Sequence, residues 1–420
     1  MNQWRLFYVA VCAALLMGSC SKAPLEKIPD DQEKPVPAPK AEDENPALIS
    51  AAVHQSISGF SFSFYKALQK QQPAGANIFV SPLSLHIALS MLANGASGTT
   101  REEILKALQA EGLSDSTLNK DCLSLLEELP KADPAVTLQL ANAVFYKNGF
   151  PVEAGFLKTL SDYYRTETKG LAFEPADLPV INKWASDHTN GKIPTVLEEL
   201  DSKLVLLLLN ALYFKGDWTT KFDKRTTVGA TFVKEDGSRM QTAMMRQTDT
   251  VLYASTNDFQ SIQKPYGNGQ FTMTILLPKT SAVANLFNQM DTQKWNALLK
   301  SFKPTKVDIG LPRFKLQQAF KLIPVLEAMG IKNAFNPWAA NFSALSHVPT
   351  FVSLFQQNTF VAVDEDGTEA AAVTNIGVAP TSGPLYPQFI CNRPFGIIIS
   401  ESTSKSILFM GSIYQPVAIP

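Results

Sequence analysis

The feature that most restricts the fold of this chain is a stretch of fifteen residues, 370–384, without a charged side chain. The residues from 368 to 378 fall into two sets that alternate along the chain. One set is small or apolar and can be buried throughout: Thr368, Ala370, Ala372, Thr374, Ile376 and Val378. The other set carries the only charge: Glu369, Ala371, Val373, Asn375 and Gly377. Because alternate side chains of a strand face opposite ways, the segment fits a strand with one face buried.

The end of the same segment has the composition of a loop. Residues 379–384 read Ala-Pro-Thr-Ser-Gly-Pro, which is typical of loops rather than strands. Gly367, at the other end, permits the backbone change that a hinge requires. The segment is therefore predicted to have two states, an exposed loop and a strand inserted in a sheet. A linker of small residues and a plain strand at a sheet edge are the alternatives.

The composition of the whole chain fits a large folded body. Its 420 residues are 45% hydrophobic, which is enough apolar material for a sizeable core. The 37 basic and 38 acidic residues nearly balance, for a formal net charge of −1. Proteins that bind nucleic acids normally carry a basic surplus, so this balance gives no support for that class.

Capping residues predict two helix starts. Ser81 before Pro82 places a serine cap ahead of a proline at the first helical position, and Gly95 is predicted to end this helix. Thr100–Glu103 has the pattern of a capping box in front of Ile104.

Strands are predicted mainly in the second half of the chain. Residues 204–214 are apolar except for Asn210, which is typical of a strand covered on both faces. The other predicted strands are 271–277, 307–314, 361–363 and a terminal hairpin of 397–399 with 407–409. Helices early and strands late indicate an α+β fold rather than regular βαβ alternation.

The N-terminus, residues 1–19, is predicted to be the signal peptide of a lipoprotein. The apolar run 6–17 is too short to span a bilayer core of about 30 Å, but it suits a secretion signal. Residues 17–20, Met-Gly-Ser-Cys, resemble the bacterial lipobox, whose cysteine is lipidated and becomes the mature N-terminus. Met17 is a departure, since Leu or Val is usual there. An ordinary signal peptide with an incidental Cys20 is the alternative.

Residues 20–46 are predicted to be the lipidated Cys20 and a disordered tether. Six of the 26 residues from 21 to 46 are proline and eleven are charged, so they bury too little surface to offset the entropy of ordering. Residues 47–420 show no second linker and are predicted to form one body. The protein is expected to be exported and held by its lipid at the bacterial outer membrane, the cell surface included.

Two cysteines, Cys122 and Cys391, lie in the predicted body. Two are too few for a disulfide framework or a metal site. We expect two free, largely buried thiols, and one bridge between them is the alternative.

Residues 365–374 resemble the hinge signature of the serpin family. Further blocks resemble serpin motifs in the family's order and cover nearly all of the body: 77–84 with 94–96, 140–145, 181–184 with 189–193, 210–218, 311–314 and 392–395. The resemblance implies the serpin fold, in which a helical N-terminal part packs on three β-sheets and a reactive-centre loop is exposed.

The resemblance also implies a function, which is the suicide inhibition of serine proteases rather than catalysis. A target protease attacks the exposed loop and forms an acyl-enzyme. The loop then inserts into the large sheet and distorts the protease before water can release it. The implied partners are serine proteases in covalent complex and the membrane that holds the lipid. No cofactor, metal or nucleic acid is implied, and a monomer is expected.

The reactive bond is predicted at Thr381–Ser382, seventeen residues being counted from Glu365 as is usual in inhibitory serpins. The bait residues before it are Val378, Ala379 and Pro380. A small β-branched residue before the cut suits the shallow pocket of elastase-like or subtilisin-like proteases. Trypsin-like proteases require Lys or Arg, and none lies between Glu369 and Arg393. A cut one or two residues away, after Ala379 for example, is the alternative.

The hinge and the gate of the main sheet are assigned by the same resemblance. The hinge residues are Glu365, Gly367, Thr368, Glu369, Ala370, Ala371 and Ala372. The gate residues are Ser81, Ser84, Asn210, Trp218 and Gln357, where Gln357 replaces a usual histidine and can hydrogen-bond without titrating. Each gate residue can also be read as ordinary core.

Two rival functions remain. Non-inhibitory relatives typically have bulky or charged hinges, so the alanines here favour inhibition over a non-inhibitory serpin-fold binding lipoprotein, although Val373 is bulkier than usual. A hydrolase is the other class, and the chain has no G-x-S-x-G, H-E-x-x-H or P-loop pattern. None of the four histidines sits in a recognisable catalytic setting: His54, His86, His188 and His347.

Overall fold

Helices predominate in the first half of the chain and strands in the second, as the sequence predicts. The computed structural model describes residues 48–201, 204–280, 282–368 and 386–417. The predicted leader, lipidation site, tether, bait and reactive bond lie outside the described residues, and so do the hinge residues from Glu369 onward.

The helices of the described residues occur mostly before residue 188. They are α1 Ala51–Gln69, α2 Pro82–Gly95, α3 Gly98–Ala107, α4 Asp115–Glu128, α5 Ala154–Tyr164, α6 Leu178–Asp187, α7 Val283–Gln289, α8 Thr292–Ser301 and α9 Ile323–Ala328. None of these helices combines the length and the apolar character needed to cross a membrane.

One of the two predicted helix caps is confirmed. The Ser81 hydroxyl accepts a hydrogen bond from the Ser84 backbone N–H at 3.2 Å, and α2 starts at Pro82. The capping box at Thr100–Glu103 is wrong, because α3 already begins at Gly98. The Thr100 hydroxyl and the Glu103 carboxylate instead accept backbone N–H groups from the loop at residues 332–341.

Most strands have ten residues or fewer, whereas β2 and β4 have 12 each and β6 has 17. They are β1 Ile78–Val80, β2 Val136–Lys147, β3 Glu167–Leu171, β4 Leu206–Asp217, β5 Val228–Val233, β6 Arg239–Ser255, β7 Phe259–Pro265, β8 Phe271–Pro278, β9 Lys303–Pro312, β10 Phe314–Lys321, β11 Gln356–Val363, β12 Gly367–Thr368, β13 Gln388–Ile390, β14 Phe395–Glu401 and β15 Ile407–Ile413. The predicted strand 307–314 is two strands, since the chain passes from one sheet to the other at Arg313.

The strands form two hydrogen-bonded sheets. The main sheet has six strands in the order β10-β11-β12-β4-β2-β3. The second has nine, with β1-β15-β14-β8-β7-β6-β9-β13 in sequence and β5 paired to β6. The resemblance implied three sheets. Here the two smaller ones are joined because β6, at 17 residues, pairs with β5 near one end and β7 near the other.

Helix α2 lies between the two sheets and contacts both β4 and β15. Its residues are buried almost without exception, which matches their apolar character on every side. On the opposite face of the main sheet, α6 packs Ile181, Trp184 and Ala185 against β2 and β4. The main sheet is thus covered on both faces, as its continuous apolar strands require.

The two cysteines of the body are free and buried, as expected. Burial raises the pKa of the Cys122 thiol to about 12 and that of Cys391 further still.

Candidate functional site

Among the described residues, only a two-residue strand lies between β11 and β4 of the main sheet. The two-residue strand β12 occupies only the start of the place between them, with Thr368 paired to Val363 on one side and to Gly216 on the other. Beyond this point β11 and β4 share no register with each other among the described residues. Two strand edges therefore face each other where one further strand would fit, and we call this place the gap.

An acidic turn at residues 364–366 joins β11 to β12 and stands at the entrance of the gap. The segment after β4 binds all three of its carbonyl groups. The Trp218 backbone N–H donates to Asp366 O and its indole Nε1–H to Asp364 O, both at 2.9 Å. The Phe222 N–H donates to Glu365 O at 3.0 Å. Trp218, which the sequence analysis assigned to the point of loop entry, therefore holds the turn at two places.

Glu365 is fully buried and paired with Arg313. The Arg313 Nε lies 2.7 Å from each carboxylate oxygen, and the Thr227 hydroxyl also donates to Glu365. Arg313 itself is only 4% exposed. A buried ion pair of this kind is stable only when its hydrogen bonds are well satisfied, which these three contacts provide. The sequence identified Glu365 as the start of the hinge but did not identify its partner.

Gly367 is required by close packing rather than by the backbone freedom that the sequence suggested. A Cβ atom on Gly367 would lie 2.1 Å from the carbonyl oxygen of Gly216. Gly367 does not adopt a positive φ. The two glycines bring β12 close to β4 at the first rung of the gap.

Thr368 falls on the buried set, as the alternation predicts. It is 3% exposed, and its hydroxyl lies 2.7 Å from the hydroxyl of Tyr266. Tyr266 in turn stacks on Trp218, with ring centroids 4.5 Å apart and planes 14° from parallel. The direction of the Thr368 side chain fixes which face of a longer β12 would point into the core.

Midway along the gap, polar residues of β2, β4 and β11 meet two serines at the first turn of α2. Gln357 of β11 accepts from the Ser81 N–H at 3.0 Å and donates to Ser81 O at 2.8 Å. Ser84 donates to Asn210 of β4, which donates to Asn142 at 2.6 Å. The structure therefore brings together four of the predicted gate residues. We call these five residues the amide cluster.

The amide cluster links both edges of the gap to α2 without using charge. Asn142 of β2, which the sequence reasoning did not single out, extends the cluster by donating to Tyr164 O. Its signal was present, since it lies in the block 140–145 that resembles a family motif. The fifth predicted gate residue, Trp218, belongs to the entrance rather than to this cluster.

The charges at the entrance shift the pKa values of its carboxyl groups in opposite directions. Burial raises the pKa of Asp364 to about 6, and its Oδ2 has no hydrogen-bond partner among the described residues. Asp366 is paired with Lys224 at 2.6 Å, and this contact lowers its pKa. At the entrance, Asp364 therefore binds its proton more tightly than an ordinary aspartate, and Asp366 binds its proton less tightly.

On the outer face, the segment that follows α6 touches both edges of the gap. Asn190 donates to the Tyr213 hydroxyl of β4 at 3.3 Å, and the Lys192 ammonium lies 5.5 Å from the ring centroid of Phe360 on β11. Farther along, Gln356 donates to Val196 O at 3.0 Å. A strand entering the gap from Thr368 onward would have to pass beneath this segment.

In the part of the chain that the structure describes, these features leave room for one further strand in the main sheet, and sequence comparison identifies the family. The family model described as Serpin (serine protease inhibitor) matches residues 55–416. The chain belongs to the serpin family. Serpins are mostly protease inhibitors rather than enzymes, and many of them inhibit serine proteases, although some do not.

Curated relatives cover most of this serpin. Leukocyte elastase inhibitor of Xenopus laevis is 32% identical over 383 residues, which are 88% of this chain and 99% of that protein. Human neuroserpin is 31% identical over 380 residues, 86% of this chain and 91% of the relative.

Solved structures show the same fold. The native state of the thermophilic serpin tengpin aligns with a TM-score of 0.80 at 29% identity, over 89% of this chain and 95% of tengpin. The latent state of tengpin gives a TM-score of 0.76 over 89% and 99% of the two chains. Thyroxine-binding globulin in complex with thyroxine aligns with a TM-score of 0.79 at 26% identity, over 87% and 99%.

Proposed function

We propose that this serpin inhibits serine proteases by inserting the segment from Glu369 onward between β11 and β4. The observation that carries the proposal is the position of Thr368. It already occupies the first place of the missing strand, in register with both edges. In a strand that continues from Thr368, this register would determine both the paired residues of β11 and β4 and the face of the sheet to which each side chain points.

Extending the register along β4 pairs the small residues with the core side of the sheet. Ala370 would lie between Phe214 and Val361, and Thr374 between Asn210 and Gln357. The hydroxyl of Thr374 would then reach the amide cluster, whose hydrogen bonds can exchange to it as the edges part. The alternation noted in the sequence therefore matches the core face that Thr368 establishes.

The same register places the only charge of the segment outside. Glu369 would lie opposite Lys215, which is exposed on the outer face of β4. Burying an unpaired carboxylate would oppose insertion by several kcal/mol, since an ion taken out of water costs that much. The extrapolated strand avoids this cost.

The distance that insertion covers supports a trapping mechanism. Thr381 follows Thr368 by thirteen positions, and a strand rises about 3.3 Å per residue, so an inserted Thr381 would lie roughly 43 Å from Thr368. In register with β4, Val378 would pair with Leu206, the first residue of that strand, at the end far from the entrance. The residues from Ala379 to Thr381 would then lie beyond this end of β4, and an attached protease would move with them.

The covalent step is acyl transfer. The serine hydroxyl of the protease attacks the carbonyl carbon of Thr381 and the Thr381–Ser382 bond breaks. The freed amine of Ser382 takes up the proton, and Thr381 is left as an ester of the protease. Insertion competes with hydrolysis of this ester. The main-chain hydrogen bonds formed with both edges, together with the side-chain burial, favour insertion.

We expect elastase-like or subtilisin-like proteases as targets. Thr381 is small and β-branched, and the relative named leukocyte elastase inhibitor is 32% identical to this chain. Incubation with pancreatic elastase, subtilisin or trypsin, followed by denaturing electrophoresis, tests this expectation. Elastase or subtilisin should give a covalent complex and a fragment whose N-terminus is Ser382. A covalent complex with trypsin would contradict the specificity.

A pair of neighbouring variants tests insertion itself. Thr374→Arg places a charge on the side of the segment that enters the core, whereas Asn375→Arg places the same charge on the outer side. Thr374→Arg should be cleaved without forming a complex, because insertion would bury an unpaired guanidinium. Asn375→Arg should still trap the protease. Equal behaviour of the two variants would contradict the proposed register.

The alternative is a serpin used for binding, a role illustrated by the name of thyroxine-binding globulin. The hinge alanines favour inhibition. A thermal melt before and after nicking between Val378 and Ser382 separates the two functions, since only an inserting loop makes the nicked molecule markedly more stable.

We also propose that the mature serpin begins at a lipidated Cys20 and is held by a tether at the bacterial outer membrane as a monomer. The lipobox-like residues 17–20 and the composition of residues 21–46 support this location. Labelled palmitate should be incorporated into the wild type and not into Cys20→Ala. Equal labelling would show that Cys20 is not the anchor.

A further inference from the structure

One buried lysine is not accounted for by the family resemblance or by the proposed insertion. Lys264, near the end of β7, is 1% exposed and is the only lysine of the described residues that is buried. No carboxylate of the described residues lies within ion-pair distance of its ammonium. Lysines are almost never fully buried without a partner, so this position calls for a role.

The Lys264 ammonium is held by neutral groups instead. It donates to Thr220 O at 2.6 Å and to the Gln247 side-chain oxygen at 3.0 Å. It also lies 4.5 Å from the ring centroid of Phe222 and 5.6 Å from that of Trp218. Two of its contacts are therefore cation–π interactions, which strengthen when the cation is desolvated.

All of these contacts except Gln247 belong to the short segment 218–222, which has no regular secondary structure after β4. The same segment binds the acidic turn through the N–H groups of Trp218 and Phe222 and the indole of Trp218. Lys264 thus touches Trp218 and Phe222, the two residues whose N–H groups hold the turn. It connects them to β7, on which it lies, and to Gln247 on β6.

We propose that Lys264 is a positioning residue for loop insertion, fixing the segment 218–222 and through it the turn from which residue 369 enters the gap. This inference rests on the proposed inhibitory function. A turn held in place keeps Thr368 in register with both edges at the start of insertion. A loosened turn lets the acyl-enzyme hydrolyse before the strand has formed.

The charge of Lys264 makes this role dependent on pH. Burial lowers the pKa of its ammonium to about 8, and Asp249 of β6 is the acidic group that opposes the shift. The other charges near the entrance are Asp364, which has no cation partner among the described residues, and five side chains that form three ion pairs. These are Glu365 with Arg313, and Asp366 with Lys221 and Lys224. Between pH 7 and 9 the ammonium should lose its proton and with it the two cation–π contacts.

The test compares Lys264→Met and Lys264→Arg with wild type, and Lys315→Met serves as the matched control. Lys315 also lies over an aromatic ring, that of Phe360, at 5.8 Å, but it is half-buried and makes no hydrogen bond or ion pair with the acidic turn or the segment 218–222 among the described residues. The readout is the number of inhibitor molecules consumed per elastase molecule trapped. Lys264→Met should raise this number by about 3- to 10-fold at pH 7, as expected for the loss of hydrogen bonds from a charged donor. Lys264→Arg should bring this number part of the way back to the wild-type value, and Lys315→Met should give the wild-type value.

The pH profile separates positioning from simple stabilisation. The ratio of the Lys264→Met value to the wild-type value cancels the titration of the protease itself. This ratio should fall toward one between pH 7 and 9, because the wild type then loses its own ammonium. A ratio that stays constant across this range would overturn the proposal. The proposal would also be overturned if Lys264→Met melted at a lower temperature than wild type but consumed the same number of inhibitor molecules per trapped protease.

Hydrogen exchange keeps the inference testable if inhibition itself is absent. The N–H groups of Trp218 and Phe222 donate to the turn, so their exchange reports on its position without any protease. Lys264→Met should exchange them at least about tenfold faster, since the contacts of Lys264 no longer oppose local opening. If wild type traps no protease but this acceleration is seen, the proposed function fails and the positioning of the turn stands. Unchanged exchange overturns the role of Lys264 whatever the inhibition assay gives.

Discussion

The entrance of the gap and the amide cluster lie along the same two strands, yet they are built from opposite chemistry. The entrance is held by charges, with Glu365 on Arg313, Asp366 on Lys224 and the ammonium of Lys264 under Trp218. The amide cluster contains only hydroxyl and amide groups. One region of the gap is therefore fixed by ionic contacts and the other by neutral hydrogen bonds.

The difference follows from what each region would do during insertion. Separating buried charges leaves an ion without a partner, which is costly, so the entrance turn resists movement. Neutral hydrogen bonds are each worth about 1 kcal/mol and can pass from one partner to another. The edges can thus part at the amide cluster while the turn at the entrance stays in place. Three measurements would break or sharpen this comparison.

The largest effect is expected from Arg313→Met. The substitution leaves the Glu365 carboxylate buried without its cation, and we expect a loss of about 3–5 kcal/mol in the free energy of unfolding. Urea unfolding measures it. Lys158→Met, which breaks the exposed pair with Asp162, is the control and should leave the midpoint unchanged. A midpoint for Arg313→Met equal to wild type would mean that the entrance is not held by this pair.

An intermediate effect is expected from Gln357→Leu. The substitution removes the side-chain oxygen that accepts from the Ser81 N–H and the amide group that donates to Ser81 O. A buried polar group left without a hydrogen-bond partner costs about 1–3 kcal/mol. The unfolding midpoint should fall accordingly and equally at all pH values. Gln357→His should instead make the stability depend on pH between 5 and 8, where histidine changes its charge. A Gln357→Leu protein as stable as wild type would show that the cluster contributes nothing.

The smallest effect is expected from Asp364→Asn and concerns pH. The native pKa of Asp364, raised to about 6, lies above its ordinary value near 4, so the native state binds this proton more tightly than the unfolded chain. The resulting stability is full below pH 4 and is lost as the pH rises through 6, by about 1 kcal/mol after allowance for screening. Asp364→Asn should remove this loss. Melting temperatures of wild type and Asp364→Asn at pH 4.5 and 7 test this expectation. If the melting temperature changes between the two pH values by the same amount in both proteins, the raised pKa of Asp364 is contradicted.

Local sequence signals predicted the elements whose cause is local. The serine cap at Ser81 and the terminal hairpin of β14 and β15 need only neighbouring residues, and both are confirmed. The capping box at Thr100–Glu103 failed because both side chains bind a loop more than two hundred residues away. The Thr100 hydroxyl and the Glu103 carboxylate, which the local pattern assigned to the start of the helix, instead form tertiary hydrogen bonds.

The candidate site was predicted in part for the same reason. The resemblance supplied Glu365, Trp218 and the members of the amide cluster except Asn142. It did not supply Arg313 as the partner of Glu365, since 52 residues separate the two. Lys264 gave no signal at all, because a polar residue beside Gln263 at the end of a strand normally faces water. Only the packing of the segment 218–222 over it shows that it is buried.

The placement of β14 and β15 has a consequence for the chain after the proposed cleavage. Both strands follow the predicted cut, and β15 is buried at every residue between β1 and β14. Scission after Thr381 would therefore yield a two-chain assembly whose shorter piece, residues 382–420, remains clamped without a covalent link. Such a piece would separate only under denaturing conditions, and size-exclusion chromatography in native buffer should show no loss of mass.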